Sequence, residues 1–268
     1  NHQERTSMYH FGIIGQPLEH SFSAKYFTEK FRREEVDADY QLCPIPKASL
    51  IEDYMGRFDG FNVTYPYKEV ILQHLSALDT VASKIGAVNV VCHGKGYNTD
   101  WIGFAQSLHP QLRPDDRHAL ILGSGGVSKA VQYALRQMEI PYIVVSRNAK
   151  AGYINYEQVD ETLVQKCQII VNCTPLGMYP NVDGYPNIPY DALRPEHLLF
   201  DCVYNPEKTQ FLLQGEKYGA RVVNGLQMLY LQAEAAWEIW KNELKINKQL
   251  NIKQLTNNYL STLQNLIE

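Results

Sequence analysis

HALILGSGGVSKAVQYAL, residues His118–Leu135, is the stretch whose reading decides the fold. Ala119-Leu120-Ile121-Leu122 is a short apolar run that reads as a buried strand. Gly123, Gly125 and Gly126 follow it, and Val127, Ala130, Val131, Ala134 and Leu135 then recur at helical spacing. A strand, a tight glycine turn and a helix form the arrangement that holds a dinucleotide pyrophosphate. Gly123 would allow the turn and Gly125 would let phosphates approach the backbone. The N–H groups and positive end of the helix would hold the charge. The candidate cofactor contacts here are Gly123, Ser124, Gly125, Gly126 and Val127. Ser128 stands where the third glycine of the usual fingerprint would be, although Gly126 and Ala130 could still keep the helix close to the sheet. A glycine-rich turn that binds nothing would look the same in isolation.

The second apolar run, Tyr142–Val145, ends in Ser146-Arg147-Asn148 and not in an acid. An NAD site places an acidic residue at that point, about 20 residues after the glycines, to hold the ribose 2′-hydroxyl. An arginine suits a 2′-phosphate instead, and Ser146 and Asn148 add neutral donors. The reading favours NADP over NAD; the plain alternative for Arg147 is a solvated loop residue.

The chain has 268 residues, 45% of them hydrophobic, with a net charge of −4. That length suits one large domain or two ordinary ones. The charge gives no reason to expect nucleic-acid or anionic-membrane binding. No apolar run reaches the roughly 20 residues of a membrane span, and no signal peptide opens the chain. Met8 is a candidate start, and the polar Asn1–Ser7 is set aside from fold reasoning. The five cysteines (Cys43, Cys92, Cys167, Cys173 and Cys202) are scattered without metal-ligand spacing, as expected of reduced thiols in a cytoplasm, with no metal.

Taken in order, Tyr9–Gly15 reads as a strand and Ser21-Phe22-Ser23 opens a helix. One serine suffices as a cap, so the second hydroxyl suits a polar ligand. Tyr40–Pro44 is expected as a strand, Leu50–Met55 and Val70–Ser83 as helices, and Ile85–Val91 as another strand before a hairpin-like turn at Gly94–Gly96. Between them, GFNVTYPYK sets Lys68 two residues after Pro66, on a restricted path. Asp100 is the one acid among Asn89, Asn98 and Thr99, and could also cap the next helix. Strands are expected at Ile169–Thr174, Leu198–Tyr204 and Arg221–Val223, and helices at Phe211–Tyr218 and from Gly225 onward. The alternation predicts parallel sheets with a site at their carboxyl edges. The tail carries an apolar stripe (Leu250, Ile252, Leu255, Tyr259, Leu260 and Leu263) that reads as packing on the protein's own surface.

Seven motifs now stand in one order: GQPLEHSFS from Gly15, NVTYPYK from Asn62, GAVN from Gly86, NTDWIG from Asn98, GSGGVSKA from Gly123, DCVYNPEKT from Asp201 and NGLQMLYLQA from Asn224. Together they resemble the shikimate dehydrogenases of the aromatic amino acid pathway, over about Phe11–Trp240. The resemblance implies an α/β substrate-binding and catalytic domain over 8–101 and a doubly wound Rossmann NADP domain over 102–226. C-terminal helices over 227–268 would return to the first domain. It implies a small-molecule substrate, with NADPH reducing 3-dehydroshikimate to shikimate, in a monomer or homodimer. Lys68 and Asp100 match the catalytic pair. Ser21, Ser23, Thr64, Asn89, Tyr204 and Gln232, besides that pair, would contact substrate. Thr174, Cys202, Gly225 and Met228 would line the cofactor, with Gly225 and Met228 near the nicotinamide.

Oxidising a secondary alcohol releases a hydride and a proton, and the protein must handle the proton. Lys68, ordinarily near pKa 10.4, would need a downward shift to act as a base, which partial burial favours and a nearby carboxylate opposes. Two departures from the family pattern stand out: little room for a helix over Ala151–Tyr156, and a long tail. The rivals are quinate/shikimate dehydrogenases using quinate or NAD, a folate-linked dehydrogenase of similar architecture, and a non-catalytic NADP-binding regulator.

Overall fold

The computed structural model describes residues 8–18, 22–148, 150 and 152–246. Ser21 and the tail stripe from Leu250 lie outside them. Two compact units separate: the chain up to Thr99 together with the chain from Ala233, and Asp100–Gln232. No helix among the described residues is long and apolar enough to cross a membrane.

The first unit holds strands β1 (Tyr9–Gly15), β2 (Ala38–Pro44), β3 (Gly60–Val63), β4 (Ala77–Leu78), β5 (Val90–Cys92) and β6 (Lys95–Tyr97). Its helices are α1 (Phe22–Arg33), α2 (Glu52–Met55) and α3 (Thr80–Ile85). The sheet order is β2-β1-β3-β5-β6-β4. Alternate strand residues face opposite sides. Phe11, Ile13, Val90 and Cys92 join Phe27, Phe31, Trp237 and Trp240 on one side. Ile14, Phe61, Val63 and Val91 join Ile45, Ile51, Tyr67 and Ile71 on the other.

Four expectations are corrected by the structure. The sheet is mixed and not parallel, because β5 runs antiparallel to both β3 and β6. Its two-residue turn, His93-Gly94, has φ of 48° and 74°, the geometry of a tight antiparallel hairpin. The expected helix Val70–Ser83 breaks into a 3-10 turn (Val70–His74), the edge strand β4 and α3. The Asp79 carboxylate accepts from Val81 N and Ala82 N and so starts α3 afresh. The expected strand Ile85–Val91 keeps only its end: Ile85 closes α3, and Gly86 stops it at φ 76° with its N–H on Ala82 O. Leu50–Met55 likewise divides into a 3-10 turn (Ala48–Leu50) and α2.

The second unit carries α4 (Asp100–Leu108), β7 (Ala119–Leu122), α5 (Gly126–Gln137), β8 (Tyr142–Val145), α6 (Glu161–Lys166), β9 (Ile169–Asn172), β10 (Leu198–Asp201), α7 (Gln210–Lys217) and β11 (Arg221–Val223). The last helix, α8 (Leu226–Glu243), starts in it. All its strands pair in parallel, in the order β11-β10-β9-β7-β8. The β9 and β10 runs end at Asn172 and Asp201, short of the expected Thr174 and Tyr204, because their last residues turn out to hold the polar network described below. One face packs on α6 and α7 through Leu120, Leu122, Ile170, Leu199, Val164 and Phe211.

The C-terminal half of α8 belongs to the first unit. Trp240 is fully buried there, donates to Val91 O at 3.1 Å, and lies flat enough on Gly60 that a Cβ would sit 2.4 Å from the indole. Gly60→Ala is therefore expected to cost about 2–3 kcal/mol through overpacking, read as a lowered thermal midpoint with altered tryptophan fluorescence.

Candidate active site

In the first unit a chain of buried polar side chains crosses the sheet. Ser23 hydrogen-bonds Tyr40, whose hydroxyl donates to Asn62 Oδ1 at 2.7 Å. Asn62 Nδ2 donates to Asn89 O, and the Asn89 side chain is held twice by Thr99: Nδ2 donates to Thr99 Oγ1 (2.9 Å), and Oδ1 accepts from Thr99 N (2.7 Å). Asn98 Nδ2 donates to Ala87 O at 3.1 Å. Ser23, Asn62, Asn89, Asn98 and Thr99 are all buried, so the sequence spends hydrogen-bonding groups in a core where apolar ones would pack without desolvation cost. Tyr40 and Asn62 were not among the motif-derived candidates. The available signal was a polar residue inside the four-residue buried strand GFNV.

Lys68 follows on a loop fixed by its main chain. Thr64 N donates to Ile14 O, Tyr67 N to Thr64 O, and Val88 N to Lys68 O. The buried Tyr67 hydroxyl donates to Ile45 O. Thr64 and Lys68 are half-buried. The loop thus holds the lysine Cα in place.

In the second unit the sheet has its switch point between β7 and β9, the neighbours from which the strand order runs in opposite directions. Ligands of open α/β sheets bind outside the carboxyl ends of such strands. Gly123 turns the chain there at φ 107°, and a Cβ on it would lie 3.1–3.3 Å from Thr174 and Cys173. Gly125 is the N-cap of the twelve-residue α5, receives no side-chain cap, and has open space where a Cβ would be. The α5 N-terminus thus has no side-chain cap, and first-turn N–H groups of that kind are the donors an anion uses at a helix start. Ser128, in the third-glycine position, is fully buried and accepts from Gln132 Nε2.

Ser146 Oγ lies 2.8 Å from Ser124 Oγ and accepts from Asn148 N. Ser146 is buried, so it ties the glycine turn to the β8 loop, while Arg147 and Asn148 are exposed beside it. β8 is the edge of this sheet. Only a 3-10 turn (Tyr156–Gln158) precedes α6 among the described residues, in keeping with the short segment noted in the sequence.

Beneath the switch point, Asn172 and Asp201 are fully buried. Asn172 Oδ1 accepts from Thr174 N and Oγ1, and its Nδ2 donates to Asp201 Oδ1. Asp201 also accepts from Val203 N and from Thr209 Oγ1. This network sets the path of Thr174 and Cys202. Burial pushes the Asp201 carboxyl up to about 6 against the pull of its donors. A raised carboxyl contributes stability while protonated and loses it as pH rises through about 6. Wild type is thus expected to lose up to about 3 kcal/mol relative to Asp201→Asn between about pH 4 and pH 7. Urea unfolding across that range would show it; a difference independent of pH would contradict it.

Asp100 is buried and is the first residue of α4, in its first turn and not at its cap. α4 lies so close to α8 that a Cβ on Gly103 would meet Met228 O at 2.5 Å and Gln232 N at 3.1 Å. The glycine of NTDWIG therefore seats the helix carrying Met228 and Gln232. Gln232 Nε2 donates to Leu229 O, and Met228 is buried. A Cβ on Gly225 would lie 2.3 Å from Cys202 O, so the start of α8 rests on the end of β10. Tyr204 is half-buried just beyond it.

Residues 13–91 match the family model described as the shikimate dehydrogenase substrate binding domain. A shikimate dehydrogenase (NADP(+)) of Methanosphaera stadtmanae is 33% identical over 254 residues, covering 85% of this chain and 90% of the relative. The crystal structure of shikimate dehydrogenase from Thermotoga maritima aligns with a TM-score of 0.78 at 30% identity, over 95% of this chain and 99% of that one. The Thermus thermophilus enzyme in complex with NADP(H) and shikimate aligns with a TM-score of 0.77 at 29% identity, over 88% and 94%.

Proposed function

Since the chain belongs to the shikimate dehydrogenase family, we propose that Lys68 and Asp100 carry its reaction. That reaction is the NADP-dependent, reversible conversion of shikimate to 3-dehydroshikimate. The observation that carries the assignment is the fixed main-chain path of Lys68, whose carbonyl accepts from Val88 N, one residue before Asn89 in the buried polar chain Ser23–Tyr40–Asn62–Asn89–Thr99.

NADP, when bound, takes up or delivers the hydride. Lys68 Nζ accepts the hydroxyl proton as shikimate is oxidised, and returns it to the carbonyl oxygen in reduction. Asp100 accepts a hydrogen bond from a substrate hydroxyl and fixes its orientation. Ser21, Ser23, Thr64, Asn89, Tyr204 and Gln232 supply donors and acceptors for a carboxylate and several hydroxyls. The prior engagement of Ser23, Asn89 and Gln232 in the protein's own hydrogen bonds supports this, because held groups lose little freedom on binding. Of these residues, Ser23, Thr64, Lys68 and Asn89 belong to the unit that ends at Thr99.

Asp100–Gln232 takes NADP. Gly123, Ser124, Gly125, Gly126 and Val127 hold the pyrophosphate, and Ser146, Arg147 and Asn148 form the 2′-phosphate end. Thr174, Cys202, Gly225 and Met228 form the nicotinamide end. The uncapped α5 terminus and the exposed Arg147 support these roles. The chain works as a monomer or homodimer in the cytoplasm, a compartment that suits its five free cysteines.

Asp100→Asn tests the pair. It is expected to lower kcat for shikimate about a hundredfold and raise its KM, while NADP binding followed by fluorescence stays unchanged. Full turnover in this variant would remove Asp100 from the mechanism.

A further inference from the structure

Cys173 and Cys202 stand one residue beyond Asn172 and Asp201, the last paired positions of β9 and β10. Cys202 N still donates to Asn172 O at 3.0 Å, so the parallel register extends to the cysteines. Residues opposite one another on neighbouring parallel strands leave the sheet on the same face. A strand spacing of about 4.8 Å also lies within the Cα separation that a disulfide accepts. The two Sγ atoms are 4.0 Å apart, and both residues are half-buried, within reach of a small reagent.

We infer that Cys173 and Cys202 form a reversible dithiol–disulfide site in the wall of the cofactor pocket, oxidised by hydrogen peroxide. The inference rests on the reading that the Gly123 turn and Gly225 hold NADP. Each of those two glycines packs on the backbone of one cysteine. The Cβ position of Gly123 is 3.2 Å from Cys173 C, and that of Gly225 is 2.3 Å from Cys202 O. Closing the sulfurs to about 2.05 Å turns both side chains toward each other and pushes the ends of β9 and β10 from about 4.8 Å toward the wider Cα separation usual for a disulfide. Neither glycine turn has room to follow without moving, so closure weakens NADP binding.

The chemistry balances with hydrogen peroxide as sole oxidant. The Cys173 thiolate attacks the peroxide, the O–O bond breaks, and one water leaves behind a sulfenic acid. The Cys202 sulfur then attacks Cys173 Sγ, the S–O bond breaks as the S–S bond forms, and the lost thiol proton leaves in a second water. Two thiols give up two electrons, and the peroxide becomes two waters. A dithiol reductant reverses the change by exchange. Cys173 attacks first because its hydrogen bond with Cys202, together with burial, keeps Cys202 as the thiol.

The test treats the full chain with a few equivalents of hydrogen peroxide and maps its peptides by mass. A Cys173–Cys202 linked peptide is expected, with KM for NADP raised roughly tenfold and restored by dithiothreitol. Cys173→Ser, compared with its own untreated rate, should lose this response. Oxidation of Cys173 to single-sulfur products without a linked peptide would overturn the inference. So would a linked peptide that leaves NADP affinity unchanged. N-ethylmaleimide labelling of the reduced protein separates the two layers. NADP that protects both thiols while no linkage forms removes only the disulfide. NADP that binds without protecting either thiol removes the cofactor-site reading beneath it.

Discussion

Replacing Lys68 by methionine is expected to lower kcat for shikimate oxidation about a thousandfold. Proton transfer by a positioned side chain contributes roughly 10²–10⁴ in rate, and methionine keeps the length of the stem while removing the group that takes the proton. The fold should be indifferent. Lys68 is half-buried, and the bonds that hold its loop come from main-chain atoms and from the Tyr67 hydroxyl. The thermal midpoint should therefore stay near that of wild type, because a substitution outside the core usually changes stability by about 0.5 kcal/mol or less. NADP binding should also be unchanged, since its proposed contacts lie in Asp100–Gln232. A fall in kcat with stability and NADP affinity preserved is the signature of lost chemistry. A variant with wild-type kcat would assign the proton transfer elsewhere.

The second large effect concerns the choice of cofactor. Arg147→Ala should raise KM for NADP roughly 10- to 100-fold and leave the weaker use of NAD unchanged. A charge-assisted hydrogen bond to a phosphate contributes about 1.5–3 kcal/mol, which corresponds to that range. Arg147 is exposed at the carboxyl end of the edge strand β8, where no acid competes for the ribose. Its loop is anchored by the buried Ser146 hydroxyl and not by the guanidinium, so the fold survives the change. Steady-state kinetics with both cofactors measure the effect. Equal losses with NADP and NAD would mean that Arg147 shapes the loop instead of reading the phosphate.

The parts of this fold legible in the sequence are those whose signals are local. β7, the glycine turn, α5 and β8 could be read because an apolar run, a backbone requirement at Gly123 and a helical period lie within 28 consecutive residues (118–145). The segment from Val70 to Val91 could not be. β4 exists because Ala77–Leu78 pairs with Lys95–Gly96, a partner strand invisible to any local window. The apolar run from Ile85 resembles a strand, yet Val88 is buried in the core beside Ile71, Ala82 and Val91 and lies outside β5, which starts only at Val90. The mixed sheet has a local source: the turn expected at Gly94–Gly96 is a two-residue hairpin at His93-Gly94 that sets β6 antiparallel to β5 inside an otherwise alternating pattern.

The candidate site divides the same way. Motif order picked out Lys68, Asp100 and the glycine turn, whose neighbours are close in sequence. The buried chain through Tyr40 and Asn62 links β2, β3 and Thr99 and becomes visible only when those strands are paired. The approach of Cys173 to Cys202, 29 residues apart, depends on the register of β9 against β10. Ser21, expected at the substrate, lies outside the described residues.

The most direct test is the initial rate of NADPH formation, with shikimate or quinate paired with NADP or NAD. The account predicts rapid turnover for shikimate with NADP and much slower rates for the other three pairings. Comparable rates with NAD would contradict the cofactor preference argued from Arg147, and comparable rates with quinate would place the chain with the quinate/shikimate dehydrogenases. Absence of turnover in every pairing, with NADP still bound, would contradict the catalytic roles of Lys68 and Asp100.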